Sequence, residues 1–102
     1  MAKPKGKKLT WTASTDTDVV SYVVYCSYGN TVSYDSASVV VPASQTEYAL
    51  PGFFNMQVAG DYSFAVSALD SASNESDLSA SVTVPLDFSV PAAPTNLRIL
   101  DL

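Results

Sequence analysis

Large and small side chains alternate along Tyr62–Leu69. One face of an extended chain would carry the apolar residues Tyr62, Phe64, Val66 and Ala68, and the other face would carry Ser63, Ala65 and Ser67. Because successive side chains of a strand point to opposite faces, this period of two predicts a β-strand with one face turned to a core. A helix would need apolar residues recurring every three to four positions, and that spacing is nowhere sustained. The first constraint on the fold is therefore β-structure.

Other short apolar runs, each closed by Gly, Pro, Asn, Asp or Ser, extend the pattern along the chain. The predicted strands are 9–13, 19–28, 31–34, 39–41, 46–50, 62–69 and 79–84. Gly29-Asn30 predicts a tight hairpin turn, because both residues tolerate positive φ. Charged residues make up only 15% of the chain, a composition that favours β-structure over helices. A length of 102 residues, 47% of them hydrophobic, indicates one domain.

The order of these motifs resembles the fibronectin type III family over Leu9–Leu86. The matching segments are Leu9-Thr10-Trp11, residues 21–25, residues 61–68 and Asn74-Glu75-Ser76. The resemblance implies an all-β, two-sheet antiparallel immunoglobulin-like sandwich, with Trp11 on strand B, Tyr22 on strand C and Tyr62 at the start of strand F. It also implies a tyrosine corner, in which the Tyr62 hydroxyl bonds back to nearby backbone. These residues are framework in the family, so no catalytic residue is expected.

The alternation also divides strand C into two faces. The predicted structural core is Trp11, Tyr22, Val24, Cys26, Tyr62, Phe64 and Val66. Cys26 is the only cysteine, and its inward position predicts a small buried hydrophobe rather than a reactive thiol. Val23 and Tyr25 fall on the opposite face and are expected to point outward. That face is a candidate contact surface or an ordinary exposed sheet face.

Both ends depart from the family pattern. A strand A should precede strand B, but residues 1–8 include four lysines, so we predict a basic arm over 1–8 and a sandwich over 9–86. Residues 87–102 are predicted to be a linker plus a strand-A-like segment, with Leu97 and Ile99 on one face and Leu100 on the other. Two interpretations remain open. The segment begins a following module, or it fills the strand A position of another chain to give a homodimer or head-to-tail oligomer.

Composition argues against several functions. The chain has no histidine, a single cysteine and no nucleophile or phosphate-binding glycine motif, so neither an enzyme nor a cofactor is expected. The net charge is −5, and no Lys or Arg lies between Lys8 and Arg98, which disfavours nucleic acid as a partner. No run approaches the roughly 20 apolar residues of a membrane span, and the first residues lack a signal-peptide core, so neither is expected in this chain.

Weaker binding signals lie in the loops. The acidic and amide side chains expected at one pole are Asp16, Asp18, Asp70, Asn74, Glu75 and Asp77. Their spacing matches no EF-hand and suits solvated turns as well, so no metal site is predicted. Asn74-Glu75-Ser76 fits an N-glycosylation acceptor and equally a polar turn. The candidate ligand contacts are Tyr25, Tyr28 and Tyr34, which surround the predicted hairpin.

These observations predict a non-catalytic structural, spacer or protein-interaction module of a multidomain surface or secreted protein. Its partners would be neighbouring domains or other proteins, with self-association by strand exchange as one specific form. The alternative is a module that binds a glycan or protein ligand through the B–C and F–G loops or the hairpin tyrosines. Extracellular or cell-surface localisation is expected for the larger protein.

Overall fold

The computed structural model describes residues 5–102, and over this range the chain forms six β-strands and no helix. The strands are β1 (Lys7–Thr10), β2 (Val19–Tyr28), β3 (Ala37–Pro42), β4 (Glu47–Leu50), β5 (Gly60–Asp70) and β6 (Val82–Leu86). β1 pairs with β4, and the other strands form a second sheet in the order β3-β2-β5-β6. All of these pairings are antiparallel. The expected all-β class with two antiparallel sheets is confirmed.

Side chains from both sheets share one hydrophobic core. Tyr48 and Leu50 of the two-stranded sheet belong to the same buried cluster as Tyr22, Val24 and Phe64 of the four-stranded sheet. Since one layer of apolar side chains serves both sheets, the arrangement is sandwich-like. Val24 is 0% exposed and marks the centre of this layer.

The predicted core residues all contribute to this layer, though not equally. Tyr22, Val24, Cys26, Tyr62 and Phe64 are buried, whereas Trp11 and Val66 are half-buried and pack against the rim of the cluster. The Trp11 ring meets the Tyr22 ring edge to face, with centroids 5.7 Å apart. Trp11 therefore closes one end of the core rather than anchoring its middle.

The connection between β2 and β3 differs from the predicted hairpin. Residues 31–34 form no strand, and Cys26 pairs with Ala37 instead. Beyond Cys26, β2 continues only alongside β5, as far as the pair Tyr28 and Tyr62. Gly29 takes a φ of 107° and donates its N–H to the Asp61 carbonyl at 2.7 Å. The turn after β2 is therefore hydrogen-bonded to β5. The other neighbour of β2, the strand β3, begins only at Ala37 and thus later than the local sequence indicates.

The start of the sandwich also lies earlier than predicted. Lys7 and Lys8, expected in a basic arm, form the first half of β1 and pair with Leu50 and Ala49. The Lys8 ammonium lies 3.3 Å from Glu47 Oε2. Lysine is tolerated there because a long side chain on an edge strand can carry its charge into water. The rest of the predicted arm contains residues 1–4, which lie outside the described range.

Candidate functional site

The second face of the four-stranded sheet is covered along β2 and β5, so the expectation that Val23 and Tyr25 point into solvent is wrong. Each is only 5% exposed, and Ser67 beside them is 2% exposed. The cover includes the Tyr34 ring, which meets the Tyr25 ring edge to face with centroids 5.9 Å apart. The Tyr34 hydroxyl in turn donates to the Ser76 carbonyl at 2.8 Å. Residues from two connections therefore close over this face.

A carboxylate from the covering segment is hydrogen-bonded to the sheet beneath it. Glu75, in the connection from β5 to β6, accepts hydrogen bonds at Oε2 from the hydroxyls of Tyr25 and Ser67. We refer to Tyr25, Tyr34, Ser67, Glu75 and Ser76 as the outer-face cluster. Burial, reinforced by the bond to Glu75, raises the pKa of Tyr25 to about 12. The phenol is therefore a protonated donor at neutral pH. Through these hydrogen bonds the cluster links the β5–β6 connection to the sheet, and we call this link the latch.

The three candidate ligand tyrosines do not form a common platform. Tyr25 is buried in the outer-face cluster, and Tyr34 lies over it with about half of its surface exposed. Tyr28 projects from the opposite face of the sheet, where its ring packs edge to face on Tyr62 at 5.2 Å. A carbohydrate platform needs exposed rings on one surface, so the sequence-based grouping joined residues that the sheet separates.

Two other polar groups in the core are also structural. The Tyr62 hydroxyl donates to the Val58 carbonyl four residues upstream. Burial raises the pKa of the Cys26 thiol to about 11. Since the thiolate is the reactive form of cysteine, this thiol is held in its unreactive state at neutral pH.

Two of the loop carboxylates at the expected B–C and F–G pole, those of Asp70 and Asp16, accept hydrogen bonds within turns. Asp70 Oδ1 accepts the N–H groups of Ala72 and Asn74 at 2.9 and 2.8 Å, and its Oδ2 accepts the Asn74 amide. These bonds, above all the one from the Asn74 backbone, lower the pKa of Asp70. Asp16 similarly accepts the N–H of Asp18 at 2.9 Å. Across residues 5–102, no group of three or more metal-ligating side chains is arranged to hold an ion.

The least complete part of the sandwich is the outer edge of β1. Among the described residues, β1 pairs only with β4. The adjoining groove between β1 and β6 is lined mainly by apolar side chains, which include Leu9, Leu50, Val82, Val84 and Leu86. Val82 pairs with Phe64 and shares its core-facing side of the sheet, yet Phe64 is 2% exposed and Val82 is 51% exposed. A core position is therefore left uncovered at this edge.

The sequence predicted an open strand A position beside strand B, but the residues of β6 that line the groove were not singled out, although a signal for them was present. Val82, Val84 and Leu86 alternate with Thr83 and Pro85, as expected for a strand with one apolar face. The alternation predicts that the face is apolar. Only the position of β1 relative to β6 reveals that part of it stays open.

Residues 87–102 leave the sandwich without forming a strand or helix. Leu97, Ile99, Leu100 and Leu102 are all largely or fully exposed. The segment leaves at the pole where β1 begins, because Phe88 lines a cleft with Pro51 and Phe53, just beyond the Leu50 partner of Lys7. It contributes to a shape that measures 70 × 26 × 18 Å along its principal axes. An exposed apolar segment and an open apolar groove thus occur in one molecule.

Comparison with protein-family models and with curated protein sequences finds no match to this chain. Residues 5–102 hold no helix of the length and apolarity needed to cross a membrane.

Proposed function

We propose that this chain is a non-catalytic protein-joining module of the fibronectin type III kind, acting in a surface or secreted multidomain protein. The observation that carries the proposal is the open β1 edge above a groove of core-facing apolar side chains. Unpaired N–H and C=O groups along a strand edge can accept a further strand, and neighbouring apolar pockets select its side chains. Such an edge binds a strand from another protein and thereby joins the two proteins.

The strand order supports the family assignment. β1 and β4 correspond to strands B and E, whereas β3, β2, β5 and β6 correspond to strands C′, C, F and G. Tyr62, near the start of β5, bonds to backbone a few residues upstream, as a tyrosine corner does. In this correspondence the position of strand A lies beside β1, and no residue of 5–102 fills it.

The placement of titratable groups supports a non-catalytic role. The Tyr25 phenol and the Glu75 carboxylate bond to each other inside the latch, and Asp70 closes a turn. Catalytic groups act from a cleft that a substrate can enter, with donors or acceptors left free for it. Each of these three groups is instead already hydrogen-bonded within the chain.

An appended strand tests the joining role. A copy of the sequence of residues 95–102 is placed before Gly6 and connected to it by an Asn-Gly turn, which suits a two-residue hairpin. If the β1 edge accepts strands, the appended copy pairs with it and covers Val82, and the midpoint of thermal unfolding rises. Circular dichroism and calorimetry measure that midpoint.

The control carries an appended segment of equal length in which Leu97, Ile99, Leu100 and Leu102 of the copy are replaced by serine. We expect no rise for this control, because it offers no apolar side chains to the groove. Equal midpoints for the two appended proteins would show that the edge does not select an apolar strand, and the joining role would be abandoned.

A further inference from the structure

We propose that the partner for the open edge is a second copy of this chain, whose residues 95–102 enter the groove between β1 and β6. This inference rests on the proposed joining role and names its partner. It makes the two copies exchange a strand, either reciprocally as a dimer or successively as a head-to-tail oligomer. The donor segment pairs with no strand of its own chain and exposes its apolar side chains.

The side chains of β1 define the groove's pattern. Lys7 pairs with Leu50 and Leu9 pairs with Tyr48, and both partners are buried. Residues paired across two strands lie on the same face of a sheet, so Lys7 and Leu9 face the core side. Trp11 continues the series, since its N–H donates to the Thr46 carbonyl. Along the core side of this edge, β1 and the adjoining Trp11 therefore present a cation, an aliphatic side chain and an aromatic ring.

Residues 95–102, which we call the tail, present a complementary series of side chains. Leu97, Ile99 and Asp101 fall on one face of an extended chain. If the segment runs antiparallel to β1, as every observed strand pair does, Asp101 lies opposite Lys7, Ile99 opposite Leu9 and Leu97 opposite Trp11. A parallel arrangement would bring Asp101 against Trp11 and leave Lys7 beside Leu97. Charge and apolarity together select the antiparallel register.

That direction also favours a second copy over the donor's own groove. An antiparallel strand enters the groove at the Trp11 end, whereas the tail leaves its own sandwich near the Lys7 end. Residues 87–94 would have to run back past the whole groove before pairing began. Pro91 and Pro94 stiffen this linker in an extended form. The groove of another copy is reached without any reversal.

Sedimentation equilibrium of the full chain, from micromolar to near-millimolar concentration, tests the exchange. We expect the average mass to rise above the monomer value of 10.8 kDa. Ile99→Asp places a charge in the groove and should raise the dissociation constant by about tenfold or more. Leu100→Asp is the matched control, because it adds the same charge on the opposite face and should change the constant by less than about threefold. Near-UV circular dichroism verifies that each variant is folded.

The register has its own test. Lys7→Asp should weaken association by placing two carboxylates opposite each other, and the double change Lys7→Asp with Asp101→Lys should restore it. Failure of that rescue would overturn the antiparallel register. Monomeric mass at every concentration, or equal effects of Ile99→Asp and Leu100→Asp, would overturn the exchange. A monomeric chain whose appended-strand derivative is nevertheless stabilised would leave the joining role standing with a different partner.

Discussion

Removal of one hydroxyl tests whether the outer-face cluster is a latch. Tyr25→Phe keeps the buried ring but deletes the donor to Glu75. A hydrogen bond to a charged group contributes about 1.5–3 kcal/mol and a neutral one about 0.5–1.5 kcal/mol. Glu75 is exposed and keeps its bond to Ser67, so water replaces the lost donor easily. We therefore expect a loss of about 1 kcal/mol at pH 7, or roughly 4–8 °C in the unfolding midpoint of a domain this size.

The same variant should alter the alkaline limb of the stability profile. The pKa of Tyr25 rises from 10.0 to about 12 on folding, so its contribution is complete below pH 10. Between pH 10 and 12 the unfolded chain loses this proton before the folded chain does, and stability falls. A shift of that size corresponds to roughly 2–3 kcal/mol. Tyr25→Phe lacks this titration, so the unsubstituted protein should lose its advantage of about 1 kcal/mol as the pH rises and should become the less stable of the two near pH 12.

Urea unfolding followed by Trp11 fluorescence, at pH 7 and in steps from pH 9 to 12, measures both effects. Tyr28→Phe is the control at pH 7, because the Tyr28 hydroxyl is exposed and its bond to the Ala59 carbonyl is 3.4 Å long. Its cost should stay below about 0.5 kcal/mol. The latch would be refuted if the two substitutions cost the same at pH 7. Parallel loss of stability in Tyr25→Phe and the unsubstituted protein above pH 10 would refute the account of the Tyr25 pKa.

Three further substitutions or modifications test the core. Val24→Ala empties part of a fully buried position and should cost about 2–3 kcal/mol in urea unfolding. The control Val40→Ala, at an exposed position of β3, should cost less than about 0.5 kcal/mol. Similar costs for the two variants would contradict the observed register of β2. Tyr62→Phe should lose about 1 kcal/mol by the same assay through its missing bond to the Val58 carbonyl, and an unchanged stability would show that this bond does not stabilise the fold. Cys26, buried and with its pKa raised to about 11, should react with iodoacetamide at neutral pH far more slowly in the folded protein than in urea, as mass spectrometry would record; equal rates would show that the thiol is accessible.

Local alternation was sufficient to predict the main strands. The bounds of β2, Val19–Tyr28, match the predicted 19–28, and Cys26 is buried as its position in that strand indicates. β5 extends the predicted 62–69 by one or two residues at each end. These predictions succeed because a strand's period of two is a property of the backbone itself, and long runs leave little choice of face.

Strand boundaries that depend on a distant pairing partner were harder to predict from the sequence. Residues 31–34 carry strand-like side chains but form no strand, because β2 beyond Cys26 is paired with β5 and β3 begins only at Ala37. Lys7 and Lys8 suggest a solvated arm, yet pairing with β4 makes them part of β1. In both places the hydrogen-bonding partner, rather than local side-chain preference, decides where a strand begins.

The sequence alone determined the β-class of this protein and the division of each strand into two faces. The tertiary structure decided what lies over each face. Tyr25 is buried because Glu75, 50 positions along the chain, folds back onto it. Val82 is half-exposed because no described residue pairs with the outer edge of β1. Periodicity governs the direction of a side chain relative to its own backbone, whereas burial depends on segments that only the folded chain brings together.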